Sequence, residues 1–374
     1  MDMRLSICLL IAGLVLLFAQ EAVAADDEAL EDLFVSGRNG YACYRIPSIL
    51  RASNGDLLAF CEGRKKSCSD TGDIDLVMRR STDGGRSWGP VRKVWDDGGN
   101  TCGNPCPVVD RSTGTIHMWM TWNHGKDHES RIKTGKSQYG GRKPYYAVST
   151  DDGQTWSKPR DMSEMVDRHG WGWYATGPGV GIQLRRGEHK GRLLIPANHS
   201  DLKKQYNAHA IFSDDGGQTW SISTSVAPGA NDSQVVERDD STVLFNTRMQ
   251  THKKGKRGIA TSTDGGATWK DFKHDEHLSD PTCQASLVRF QRKGGPLLFA
   301  NPATGGRKGM TVRASLDGGR TWPHQKLIYA GSSAYSSLVV LDEERIGLLF
   351  ERDRYRKISF LRMRFSNGFE AIKP

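Results

Sequence analysis

Apolar residues in this chain come in short runs separated by clusters of Gly, Asp, Asn, Ser and charged residues. Leu76-Val77-Met78, Tyr145-Tyr146-Ala147-Val148, Ala208-His209-Ala210-Ile211-Phe212, Gly258-Ile259-Ala260 and Met310-Thr311-Val312 are examples. Runs this short, rich in β-branched and aromatic residues and bounded by turn formers, predict strands. No long stretch carries the spacing of an amphipathic helix. Each of these five runs leads into the same octapeptide, Ser-x-Asp-x-Gly-x-[Ser/Thr]-Trp. It occupies residues 81–88, 149–156, 213–220, 262–269 and 315–322, with starts 68, 64, 49 and 53 residues apart. Five copies in register predict a repeat architecture.

A second extended stretch follows the box, as in Val91-Arg92-Lys93-Val94-Trp95. The box therefore reads as a hairpin turn, its Asp accepting backbone N–H groups and its Gly supplying positive φ. Its Trp is expected to fold back over the apolar side chains of its own hairpin. A unit of roughly 50–65 residues holds four short strands, the size of a propeller blade. Five marked units and one unmarked unit predict an all-β, six-bladed β-propeller of four-stranded antiparallel sheets. The acidic residues of the boxes read as turn formers, so the boxes leave the function open.

Arg4, an apolar run from Leu5 to Phe18 and Ala22-Val23-Ala24 read as a signal peptide over residues 1–24. A single propeller domain is expected over 25–374, since no Pro/Ser linker or low-complexity tract divides it. Export to an extracytoplasmic compartment follows. No later segment approaches the ~20 apolar residues of a spanning helix, so no membrane insertion is expected after cleavage.

The chain carries 52 basic and 43 acidic residues. Without residues 1–24 the balance is 51 against 41, or +10. A basic exported protein without a nucleic-acid motif suits an anionic ligand such as an acidic glycan, and equally a solubility role. Six cysteines remain: Cys43, Cys61, Cys68, Cys102, Cys106 and Cys283. They allow up to three disulfides in fifteen connectivities, or buried free thiols. Cys102 and Cys106 lack a matching Cys/His pair, so neither zinc nor another metal or cofactor is expected. The lysine-rich residues 126–143 and 252–257 read as exposed inter-strand loops.

Several polar segments interrupt the strand pattern. Tyr44-Arg45-Ile46-Pro47 has strand character that would half bury Arg45. A charged loop containing Glu62, Arg64 and Asp70 follows. Asn231-Asp232-Ser233-Gln234, Asn246-Thr247-Arg248, Gly305-Gly306-Arg307, Ser333-Ala334-Tyr335 and Phe350-Glu351-Arg352 come later. Taken singly, each arginine is a surface residue, Tyr335 is core packing and Asp70 is a solvated turn residue. Their joint order carries the signal.

Tyr-Arg-Ile-Pro followed by repeated octapeptides of this kind resembles the exo-α-sialidases (neuraminidases) of the bacterial and animal type, whose Asp box the octapeptide matches. The resemblance spans essentially the whole chain beyond residue 24. It implies that Arg45, Arg248 and Arg307 bind the substrate carboxylate and that Arg64 lines the pocket. It also implies Asp70 as acid/base, Tyr335 as nucleophile and Glu351 as the carboxylate that orients Arg45. Residues 170–179 read like the family's mid-chain loop. One position departs from the pattern. Where the family carries a glutamate that activates the tyrosine, this chain has Asp232, sixteen residues before Arg248. One methylene shorter, Asp232 is expected to reach Tyr335 over a longer bond; Glu237 is the alternative.

The implied chemistry is consistent with the substrate. A sialic acid carries its carboxylate on the anomeric carbon, which suits convergent guanidiniums and would repel an anionic nucleophile. Sialidases are the recognised tyrosine exception among retaining glycosidases. The resemblance thus implies a retaining hydrolase acting on terminal sialic acids of glycans, without cofactor; a monomer is expected. The alternatives are a non-catalytic Asp-box propeller that binds glycan or protein, or a trans-sialidase or hydrolase of a related nonulosonic acid. Two sequons occur, at Asn198 and Asn231; a glycan on Asn231 would crowd Asp232, so that site is expected to be unoccupied.

Overall fold

The structure, a computed structural model, describes residues 29–252, 254–290, 295–365 and 370–371. The leader expected over residues 1–24 lies outside them. Among the described residues the fold is all-β apart from two single-turn helices, α1 (Glu129–Ile132) and α2 (Ser163–Val166). Strands pair with their sequence neighbours in antiparallel runs. The first run is β2 (Cys43–Arg51), β3 (Leu57–Arg64), β4 (Ile74–Ser81) and β5 (Arg92–Trp95). The second is β6 (Thr101–Val109), β7 (Ile116–Asn123), β8 (Arg142–Ser149) and β9 (Arg160–Asp161).

The third run is β10 (Trp171–Thr176), β12 (Leu193–Asp201), β13 (Tyr206–Ser213) and β14 (Ser221–Ile222), with β11 (Ile182–Gln183) added to β12. The fourth is β15 (Ala230–Glu237), β16 (Val243–Met249), β17 (Lys256–Ser262) and β18 (Lys270–Ser279). Next come β19 (Ser286–Arg289), β20 (Leu297–Pro302), β21 (Lys308–Ser315) and the long β22 (His324–Val340). β22 pairs with β21 up to Ser332 and from Ser333 onward with β23 (Arg345–Arg352), which pairs with β24 (Lys357–Arg364). The early strand β1 (Leu30–Val35) completes that last run by pairing with β24.

Apolar clusters fill the spaces between consecutive runs. Phe60 and Met78 meet Met118, Trp119 packs among Leu193 and Ile195, and Phe245 meets Leu194. Phe299 meets Leu244, Phe350 meets Val312, and Phe360 of the last run meets Leu57 and Val77 of the first. First strands have sheet on both faces, which is why β2 is buried over all but its last residue and β15 over its whole length.

The five octapeptides form the turns after β4, β8, β13, β17 and β21. Asp83 Oδ1 accepts the N–H groups of Arg86 and Ser87 at 2.9 Å each, and Ser81 Oγ accepts that of Gly85 at 2.8 Å. Asp151, Asp215, Asp264 and Asp317 repeat the pattern. The Trp side chains cover their own hairpins, as with Trp220 beside Ile211 and Ile222, and more besides. Trp88, Trp156, Trp220, Trp269 and Trp322 each sit in the apolar cluster shared with the preceding run. Trp88 meets Phe360 edge-on at 5.2 Å and Trp220 meets Trp119 at 5.1 Å. The box glycine explains the geometry. Gly217, at φ 85°, would place a Cβ 2.5 Å from His117 of the preceding run. The turn is pressed against its neighbour, so its Trp has that neighbour to cover.

Of the six cysteines, Cys43 and Cys68 form a disulfide and the other four are buried free thiols. Residues 126–143 are more than an exposed loop: they hold α1, its buried Ile132 and the start of β8 at buried Arg142. In the second lysine-rich stretch, Arg257 is likewise buried.

Candidate active site

The first strands carry the site, and they do so at bulges. In β2, Ile46 and Pro47 stand opposite Cys61 alone, because the register steps from Arg45↔Glu62 to Ser48↔Phe60. The same two-against-one step occurs at Asn104-Pro105 in β6, Gly172-Trp173 in β10, Asn231-Asp232 in β15 and Ala334-Tyr335 in β22. A bulge re-aims side chains that the two-residue alternation would otherwise send into the inter-sheet core. Ile46, Asn104, Trp173, Asn231, Asp232 and Tyr335 all line one cavity of about 170 Å³. Loops and strand ends of neighbouring strands add Arg45, Glu62, Arg64, Asp70, Arg142, Arg248 and Arg307.

Tyr335 is at the centre. Its hydroxyl donates to Asp232 Oδ2 over 2.6 Å, and Arg248 Nη1 donates to both that oxygen and the phenol oxygen at 2.8 Å each. The guanidinium carbons of Arg45 and Arg307 lie 5.4 and 5.5 Å from the Tyr335 ring centroid. Three arginines that are 203 and 59 residues apart in sequence are thereby gathered around one side chain.

Beneath them Glu351, with no exposed surface, takes three donors. Oε1 accepts Arg45 Nε at 2.6 Å and Ile46 N at 2.9 Å, while Oε2 accepts Tyr335 N at 3.0 Å. Arg45 is buried rather than half-buried, at 7 % exposure. Among the described residues neither terminal nitrogen of Arg45 has a protein acceptor. Arg248 Nε is also buried without one. Among the described residues Arg307 is bonded only to neutral groups, Tyr355 Oη and Thr282 O, each at 2.9 Å. Guanidinium N–H groups without acceptors on the wall of a cavity form a site for an anion.

Asp70 approaches from the rim, on the loop between β3 and β4. Arg64 Nη1 bonds its Oδ1 at 2.8 Å and the Cys68 carbonyl at 2.5 Å; Glu62 holds the other side of Arg64 at 2.6 Å. The Asp70 side chain is 65 % exposed. Burial in the rim works to raise its pKa, but the Arg64, Arg45 and Arg142 charges outweigh it and hold the carboxyl below the ordinary 3.8. The Tyr335 phenol moves the other way. Burial first and the Asp232 carboxylate second push it well above 10, against the pull of Arg248 and Arg307. Burial works to lower Arg45, Arg248 and Arg307, but nearby Glu351, Tyr335 and Asp232 and the adjacent Cys283 bring all three out above the ordinary arginine value.

Eight predicted site residues thus adjoin one cavity, seven lining it and Glu351 directly beneath. Glu237 does not. It is buried at the far end of β15, where it accepts Arg185 N and Arg186 N. The longer bond expected from Asp232 is corrected by the bulge, which brings the shorter side chain to 2.6 Å. Both sequon asparagines are buried, Asn198 completely and Asn231 at 7 %. Sequence reasoning missed Arg142, which lies under Trp173 at 4.3 Å and bonds Asn123 and Thr121, and Glu129, which accepts Tyr206 Oη. It also missed Tyr355, whose ring lies 4.1 Å from the Arg45 guanidinium. Tyr355 closes a turn of three consecutive positive-φ residues, Asp353, Arg354 and Tyr355, a strain with no sequence signal of its own.

A family model for the BNR repeat-like domain matches residues 55–348. The chain is 35 % identical to an exo-alpha-sialidase of Aspergillus fumigatus over 84 % of its own length and 80 % of the relative's. It is 36 % identical to a sialidase of Micromonospora viridifaciens, over 86 % of this chain and 52 % of that one. The Hadza microbial sialidase Hz136 superposes with a TM-score of 0.80 at 31 % identity, over 88 % of this chain and 67 % of that one. The chain belongs to the sialidase family, and its all-β fold is of the β-propeller type found there. It spans about half the length of the Micromonospora relative.

Proposed function

We propose that the chain is a retaining exo-α-sialidase that hydrolyses terminal α-linked sialic acids from glycans through a tyrosyl–sialosyl intermediate. The observation that carries this reading is the Asp232–Tyr335–Arg248 triangle, flanked by two further guanidiniums in one cavity. We read the four-stranded runs as six blades, with β1 closing the ring on β24; an axis shared by six first strands brings Arg45, Arg248 and Arg307 together.

In this reading the three arginines grip the sugar carboxylate, and the open N–H groups of Arg45 are the first to be used. An anionic substrate would repel a carboxylate nucleophile, whereas the phenol of Tyr335 attacks the anomeric carbon while Asp232 takes its proton. Arg248 shares Asp232 with the phenol and stabilises the charge that moves between them. Asp70 protonates the leaving glycosyl oxygen and then removes a proton from the water that opens the intermediate. Arg64 positions Asp70, and Glu351 fixes both Arg45 and the backbone of Tyr335.

Residues 25–374 would form one monomeric catalytic domain, exported after removal of residues 1–24. The Cys43–Cys68 disulfide supports an oxidising compartment. Purified protein should release the fluorophore from a 4-methylumbelliferyl α-sialoside and sialic acid from 3′-sialyllactose. Retained binding without release would favour a glycan-binding propeller.

A further inference from the structure

Two pairs of residues share one spacing. Cys43 stands two positions before Arg45, and Cys68 stands two positions before Asp70. The disulfide between them, with Cα atoms 5.2 Å apart, joins the start of β2 to the tip of the β3–β4 loop. The base of that loop holds itself: Lys65 N bonds Asp73 O at 3.1 Å, and Thr101 Oγ1 bonds Gly72 O at 2.9 Å. The tip does not. Residues 66–70 are exposed, and their own bonds are local ones such as Ser69 N to Ser67 Oγ. Outside the disulfide, and among the described residues, the tip is tied to the site through a single nitrogen, Arg64 Nη1, which serves both Cys68 O and Asp70 Oδ1. An ion pair with a largely exposed carboxylate is a weak tether. The other four cysteines among the described residues, all buried, remain thiols, so the bridge is specific to this loop.

We propose that Cys43–Cys68 is a positioning bridge for Asp70: it fixes the proton-transfer group relative to the carboxylate-binding arginine on β2. The inference rests on the reading of Asp70 as acid/base. Cys43 and Cys68 touch no reacting atom; they act through the loop. Loss of the bridge frees the tip, so it impairs protonation of the leaving group and spares the grip of Arg45, Arg248 and Arg307 on the sugar acid.

Leaving groups separate these effects. An aryl sialoside expels a weakly basic phenolate and needs little protonation, whereas sialyllactose must expel a sugar alkoxide and depends on it. Wild type, Cys43→Ser/Cys68→Ser and Asp70→Asn are compared on 4-methylumbelliferyl α-sialoside and 3′-sialyllactose across pH. In the double variant, kcat/KM on sialyllactose is expected to fall at least about tenfold further than on the aryl sialoside. KM for the aryl substrate should stay within about twofold. Asp70→Asn should show the same bias, more strongly, and the pH profile of the double variant should move toward that of Asp70→Asn.

Equal losses on both substrates would mark the bridge as merely structural and overturn the inference, as would no loss at all. If the double variant does not fold, folded wild type treated with dithiothreitol takes its place. The reagent becomes its cyclic disulfide, and Cys43 and Cys68 become two thiols, a change checked by thiol count. The same substrate ratio decides. Wild type inactive on both substrates would instead sink the sialidase reading itself, and this inference with it.

Discussion

Tyr335 and Asp232, 103 residues apart in the chain, share a hydrogen bond of 2.6 Å. Its direction matters. The phenol is pushed well above its ordinary pKa and keeps its proton at neutral pH, so Tyr335 is poised as a neutral donor that becomes a nucleophile only as Asp232 accepts. Tyr335→Phe should therefore lower kcat by on the order of 10²–10⁴, with far less effect on binding of free N-acetylneuraminic acid. Asp232→Asn should approach that loss, while Asp232→Glu should retain much more activity. Steady-state kinetics with calorimetry on the same variants checks this, and an Asp232→Asn variant as fast as wild type contradicts it.

Glu351 is the hidden support of the pocket, holding Arg45 Nε and the backbone of Ile46 and Tyr335 at once. Removing one partner of a buried ion pair leaves the other uncompensated, at a cost of about 3–5 kcal/mol. Glu351→Gln should lose stability of that order without ligand. A sialic acid carboxylate would restore part of the missing charge, so the thermal shift produced by N-acetylneuraminic acid should be larger in the variant than in wild type. Equal shifts would show that the carboxylate does not sit against Arg45.

Asp70 yields a prediction in pH. In the empty pocket Arg64, Arg45 and Arg142 hold its pKa below 3.8 against burial. An anion bound to Arg45 offsets part of that field and raises the pKa in the complex. Because kcat/KM reports the free enzyme and kcat the complex, the alkaline limb should lie at higher pH in kcat. Asp70→Asn should remove the limb. The reverse order of the two limbs would contradict the assignment.

The turn carboxylates yield a prediction for acid stability. Burial works to raise them, but hydrogen bonds within the box outweigh it and hold Asp83, Asp151, Asp215, Asp264 and Asp317 at about 2, against an ordinary 3.8. For a depressed acid, the stability contribution is full above the unfolded value and is lost as pH falls through the folded one. Asp151→Asn should therefore lower the thermal midpoint at pH 7, and the gap from wild type should close between pH 4 and pH 2. A gap independent of pH would assign the loss to shape rather than charge.

The sequence made the turns legible because Asp, Gly and Trp at fixed offsets each have a local physical reason. It did not reveal what else the Trp residues cover, since that depends on how closely one run approaches the next, as at Gly217 and His117. The arginines, Asp70 and Tyr335 were readable from their order within a resemblance, not from any local rule. The bulges were invisible. Strand alternation places Asp232 in register with its neighbours, and only an inserted residue in β15 turns it toward Tyr335. Arg142 and Glu62 read as surface charges in a basic chain, yet both are buried on the wall of the cavity.

The central claim is that the phenol at position 335 forms a covalent bond to the sugar. A sialosyl fluoride bearing fluorine at C3 tests it directly: the good leaving group lets the first step proceed, and the C3 fluorine slows the second. Peptide mass spectrometry after brief exposure should find the fluorosialosyl group on Tyr335 in wild type and no label in Tyr335→Phe. An active wild-type protein labelled on another residue, or releasing the β-anomer first from an α-sialoside by NMR, would contradict the account.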